Sequence, residues 1–237
     1  MNARKALLLF AAYAGAQLGT GIIIGIGVGI TYGVRHVRGG AEALRIAVLV
    51  GGSFGLVFAG LTVFWLTRRI LRGDPQGLRR IGWTGATWRS RVLAAVMGVA
   101  LGMFYTGVVV SLFPLPPEFR SGPVAQAISG GGWKLYLWVV MALAIAPPIE
   151  EFVFRGALWT GFERSLGPIA AGLVVTALFV AMHLLESGRY PPAIVAIATL
   201  GAACLVVRVV SGSLLPPMLM HFAYNTVIVI GTVREYG

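Results

Sequence analysis

Charge is scarce in this chain of 237 residues, and cysteine is all but absent. Only 11% of the residues are charged, and Cys204 is the one cysteine. Typical soluble domains carry about 25% charged residues, so a surface solvated on all sides is excluded. A single cysteine excludes an intrachain disulfide, and its place inside an apolar run marks the thiol as core packing. Lysine is nearly missing as well, with only Lys5 and Lys134 among many arginines. Together with the Ala, Gly and Val content, that bias points to a GC-rich genome and a bacterial source.

Apolar residues make up 57% of the chain. They fall in runs of about 20, the length that crosses some 30 Å of hydrocarbon as helix. Such runs lie at about 6–33, 44–66, 92–113, 133–160, 168–186, 191–209 and 216–233. The expectation is an all-α polytopic transmembrane bundle of about seven helices. Its formal net charge of +11 could suggest nucleic acid, but much of the positive charge lies between two apolar runs, from Arg68 to Arg91. That is a membrane-topology signal, and no nucleic-acid partner is expected.

The basic segment 67–91 carries Arg68, Arg69, Arg72, Arg79, Arg80, Arg89 and Arg91 against Asp74 alone, which places it in the cytoplasm. Alternation then puts the N terminus inside and the C terminus outside. The Arg35–Arg45 loop, with His36, falls on the external side on this scheme despite its arginines. Ala14-Gly15-Ala16 resembles a signal-peptidase site, but the apolar run continues to Val34, so a retained signal anchor is expected. The chain divides into three N-terminal helices with the basic loop (1–113), an external Pro- and Gly-rich loop (114–132) and a four-helix region (133–237). Glycines at four-residue spacing, namely Gly21, Gly25 and Gly29, Gly51 and Gly55, and Gly98 and Gly102, predict close helix contacts.

Against this apolar background, Glu150 and Glu151 stand out. A charge at mid-membrane costs roughly 2.5–3.5 kcal/mol on insertion scales, so intramembrane carboxylates face partners, water or chemistry. Glu151 and Arg155 share a helix face and can pair, whereas Glu150 points about 100° away. Phe179 and His183 share another face, and His221 and Asn225 a third. If the fourth and fifth helices form a hairpin turning at Gly167-Pro168, Glu150 and His183 are level, each about 25 Å from its tip. Pro147-Pro148 should kink or restart the helix and free carbonyls that hold water. His221 follows Pro216, a helix-start signal, by five residues. It therefore lies in the cytoplasmic half of its helix, and the site opens to that side.

Glu150-Glu151 with Arg155, then Phe179 with His183, then His221 with Asn225 together resemble the signature of the CAAX-protease and bacteriocin-processing (Abi) family. That signature is EExxxR, FxxxH and HxxxN or HxxxD, in order, here across roughly 133–233. The resemblance implies an intramembrane endopeptidase. Its substrate would be a membrane-associated protein or lipidated peptide, among membrane lipid in the bacterial plasma membrane.

Peptide hydrolysis needs an activated water, an oxyanion site and a proton for the leaving amine. Glu150 is the candidate base, His183 shares its water, His221 and Asn225 donate to the oxyanion, Glu151 is counted with these catalytic residues as the partner of Arg155, and Arg155 and Phe179 support them. No cofactor is expected. The alternative is a zinc version with Glu150, His183 and His221 as ligands, disfavoured because Asn225 is a poor zinc ligand and no separate base remains. Two further rivals are a bundle whose polar groups only pair with one another and a proton-coupled transporter relaying through Glu150 and His183, although no inverted repeat supports transport.

Overall fold

The computed structural model describes residues 1–34, 40–117, 125, 131–187 and 190–236. Its elements are α1 (Ala3–Val34), α2 (Gly40–Ile70), a short α3 (Gly77–Arg80), α4 (Trp88–Leu112), α5 (Gly132–Leu166), α6 (Pro168–Ser187), α7 (Pro191–Ser211) and α8 (Leu215–Tyr236). No strand occurs among the described residues, and each expected apolar run falls on a helix. Helices α1, α2, α4, α5 and α7 contain stretches long and apolar enough to cross a membrane. In α6 only Pro168–Leu184 is apolar, which is shorter. His36, and the external loop apart from residues 114–117, 125 and 131–132, lie outside the described residues.

Glycine contacts set how the helices pair. Gly51 backs onto Gly21, and a methyl group on Gly55 would lie 2.8 Å from the Gln17 carbonyl. The partner number falls as the other rises, so α1 and α2 run antiparallel. Gly98 faces Met220, and Gly102 faces Tyr224 and Val227. There both numbers advance together, so α4 and α8 run parallel. At Gly25 and Gly29 nothing lies within 4 Å, so the expected close packing is absent at those two positions. A Cβ on Gly98 would lie 2.1 Å from the Met220 carbonyl, beside His221. Gly98→Ala is therefore expected to destabilise the protein by about 1–3 kcal/mol through overpacking, while Gly25→Ala leaves it unchanged. Thermal unfolding in detergent distinguishes them, and equal midpoints would refute the contact.

One end of the bundle is sewn together by the basic segment. Thr160 and Arg208 both donate to the Arg80 carbonyl, Leu214 N–H donates to the Gly82 carbonyl, and Ser213 donates to that of Thr84. The start of α1 joins the same end, because Ser165 accepts from the Ala3 amide and Asn2 caps the helix through the Lys5 amide. Arg69 stacks on Trp65 at 4.0 Å nearby, an aromatic and basic pairing suited to a membrane interface.

Helix α5 neither breaks nor restarts at Pro147-Pro148. It runs through them with wider π turns on either side, at Met141–Ile145 and Glu151–Leu158. A proline ring collides with the carbonyl one α turn back, and widening the turn relieves the collision without ending the helix. The central core gathers around the second π segment, where Phe152 to Leu158 are all buried.

Candidate active site

Residue by residue, the π turn of α5 determines how the glutamates are presented. It brings positions four apart close to register. Arg155 Nη1 donates to Glu151 Oε1 at 3.1 Å, with both side chains buried. The second guanidinium nitrogen donates to the Gly201 carbonyl on α7 at 2.8 Å, where a Cβ at residue 201 would crowd it. The Phe179 ring lies under the guanidinium at 4.3 Å and meets Phe154 edge-on at 5.2 Å. The cation is thus held by one carboxylate, one carbonyl and one aromatic face, without bulk water.

Glu150 points elsewhere, into a cavity of about 400 Å³. His183 Nε2 lies 4.0 Å from Glu150 Oε2, and His221 Nε2 lies 3.9 Å from the same oxygen. The hairpin that levels Glu150 with His183 turns at Gly167, whose φ of 76° suits glycine. Each imidazole is fixed through its other nitrogen. His183 Nδ1 bonds the Phe179 carbonyl at 2.8 Å, and a carbonyl only accepts, so Nδ1 carries the proton. His221 Nδ1 bonds Glu151 Oε1 at 3.0 Å. Both Nε2 atoms are thereby turned toward Glu150.

Every sequence-predicted site residue is therefore gathered in one place, with two partnerships that spacing alone did not reveal. The first is His221 with Glu151, so Glu151 serves both Arg155 and a histidine on α8. The second concerns Asn225, whose amide nitrogen donates to the Ala142 carbonyl at 2.8 Å. In the π turn the Ala146 amide bonds Met141 instead, and Pro147 has no N–H, so Ala142 is the carbonyl left over. Asn225 fills that vacancy and ties α8 to the widened part of α5.

The cavity also draws on helices that carry no motif. Tyr13 and Gln17 from α1, Ser53 from α2 and Tyr105 from α4 line it. A second, apolar chamber of about 780 Å³ lies between α4 and α7 and shares Tyr105, Leu200 and Tyr224 with the first.

As placed, the candidate zinc donors are spaced more widely than in a tetrahedral site. Ligands about 2.1 Å from a tetrahedral zinc stand about 3.4 Å apart, closer than the 3.9 and 4.0 Å found here. One water about 2.8 Å from each atom spans these gaps without rearrangement. Among the described residues, no group of three His, Cys, Asp or Glu side chains has a metal-holding arrangement.

Residues 132–227 match the family model for the type II CAAX prenyl endopeptidase Rce1-like proteins. The match begins at the start of α5 and ends within α8, so it covers all three motifs. No curated protein and no solved structure matches the chain.

Proposed function

We propose that this chain cleaves peptide bonds with a water activated by Glu150, a reading supported by the match of residues 132–227 to the Rce1-like type II CAAX prenyl endopeptidase model. The observation that carries the reading is the convergence of two oriented imidazoles on one buried carboxylate oxygen. Water held at that point loses a proton to Glu150 Oε2, assisted by His183 Nε2, as its oxygen attacks the scissile carbonyl carbon. Of the His221 nitrogens, Nδ1 stays on Glu151 and Nε2 faces the developing oxyanion. Asn225 holds Ala142 with one amide hydrogen and offers the other to the oxyanion. As the tetrahedral intermediate collapses, the C–N bond breaks and Glu150 returns its proton to the leaving amine.

The substrate is a membrane-associated protein or lipidated peptide, and the apolar chamber beside the cavity suits its hydrocarbon portion. The arginine-rich segment that sews one end of the bundle faces the cytoplasm of a bacterial cell, and the site opens toward it. The test uses purified protein in vesicles with a peptide ending in a prenylated Cys-aliphatic-aliphatic-X box, and product mass identifies the bond cut. His183→Ala is expected to lower turnover by about 10²–10⁴ while the protein still unfolds cooperatively. Activity should survive exhaustive chelation, and loss to chelator with recovery on zinc would overturn the metal-free mechanism. Proton flux abolished by Glu150→Gln, without peptide cleavage by the parent, would make the protein a transporter.

A further inference from the structure

Helix α1 lies outside the family match, yet it delivers polar groups to the catalytic cavity. Tyr13 and Gln17 are one turn apart and both line it. Tyr13 is buried, its ring 5.8 Å from that of Phe154. The Gln17 carboxamide oxygen is shut off from solvent and has no hydrogen-bond partner among the described residues. An enclosed acceptor without a partner is costly, so it calls for a donor that the described residues do not supply. Its placement is not loose either, because the Gln17 backbone is clamped against Gly55 of α2, where a methyl group would collide with the Gln17 carbonyl.

An extended peptide entering such a cavity presents the complementary need. Away from water, each of its backbone N–H and C=O groups requires a protein partner. We propose that Gln17 receives the substrate's main chain, its Oε1 accepting a backbone N–H near the scissile bond, with Tyr13 completing that wall. This rests on the endopeptidase reading above and deepens it. Gln17 becomes a substrate-binding residue, and the N-terminal helices become part of the enzyme's recognition surface.

The test measures binding in the Glu150→Gln background, where the prenylated Cys-aliphatic-aliphatic-X peptide stays intact. Adding Gln17→Leu is expected to weaken peptide affinity about tenfold, the effect of one lost neutral hydrogen bond. Replacing backbone N–H groups of the peptide one at a time by ester oxygen should then identify one position that costs about tenfold when Gln17 is present and nothing once Gln17→Leu has been introduced. In the active protein, Gln17→Leu should raise KM with kcat within about twofold of the parent. Thermal unfolding without peptide should stay level or rise, since an unmatched amide is removed, and Gln17→Met serves as a second variant of similar length. Equal affinities, or ester costs identical in both backgrounds at every position, would overturn this inference and leave the endopeptidase reading intact. A drop in unfolding temperature in both variants with KM unchanged would likewise overturn it, making Gln17 structural. Persistent cleavage by Glu150→Gln would remove the site itself, and this inference with it.

Discussion

Arg155→Ala is expected to cost about 3–5 kcal/mol, the range for breaking one half of a buried ion pair, and to leave little folded protein in the membrane. Three groups are stranded at once. Glu151 loses its countercharge at 3.1 Å, the Gly201 carbonyl loses its donor, and Phe179 loses the cation over its ring. Arg155→Lys keeps the charge but cannot donate to Glu151 and Gly201 together from a planar fork, so it should recover only part of the loss. Arg155→Met combined with Glu151→Gln should recover more, because it removes both charges. Expression level and thermal unfolding in detergent report all three. Normal accumulation of Arg155→Ala would mean that Glu151 does not depend on this pair.

Glu150→Gln should do the opposite, leaving the fold standing and stopping the chemistry. The amide is nearly the same shape, and a largely buried charge disappears, so the unfolding midpoint should hold or rise. Turnover should fall by about 10³–10⁴, at the upper end for loss of a general base, because among the described residues no other carboxylate faces the two Nε2 atoms. Glu151 cannot substitute, since its Oε1 is already engaged by both Arg155 and His221. Glu151→Gln would then lose activity by a different route, through a His221 held less firmly. If Glu150→Gln kept a tenth or more of the parent turnover, a glutamate-activated water would not be the mechanism.

Local spacing made part of this arrangement legible in the sequence. The Glu151–Arg155 pair follows from positions four apart on one helix, and the Glu150–His183 approach from their equal distance to Gly167-Pro168. What escaped has physical causes. The His221–Glu151 bond joins residues seventy positions apart on helices whose mutual rotation no local pattern states. The Asn225–Ala142 bond depends on a π turn, which the sequence signals only in part. Pro147 announces an orphaned carbonyl, but not which side chain will reach it. Tyr13 and Gln17 carry the clearest signal outside the motifs, two polar residues one turn apart inside an apolar run, where polar side chains are expensive enough to demand a reason. Glycine spacing was a partial guide, since Gly51, Gly55, Gly98 and Gly102 mark real contacts and Gly25 and Gly29 do not.

The parallel contact of α4 with α8 has a consequence for biogenesis. Helix α4 is synthesised before α8, but its seat at Gly98 is filled by Met220 and Ala223 of α8, on either side of His221. A chain still emerging from the ribosome thus holds both glutamates long before the second imidazole arrives. On the proposed mechanism, a nascent protein that has not yet reached α8 has no assembled hydrolytic centre and poses no threat to the membrane proteins inserted beside it. The docking of α8 and the onset of the proposed activity become the same event.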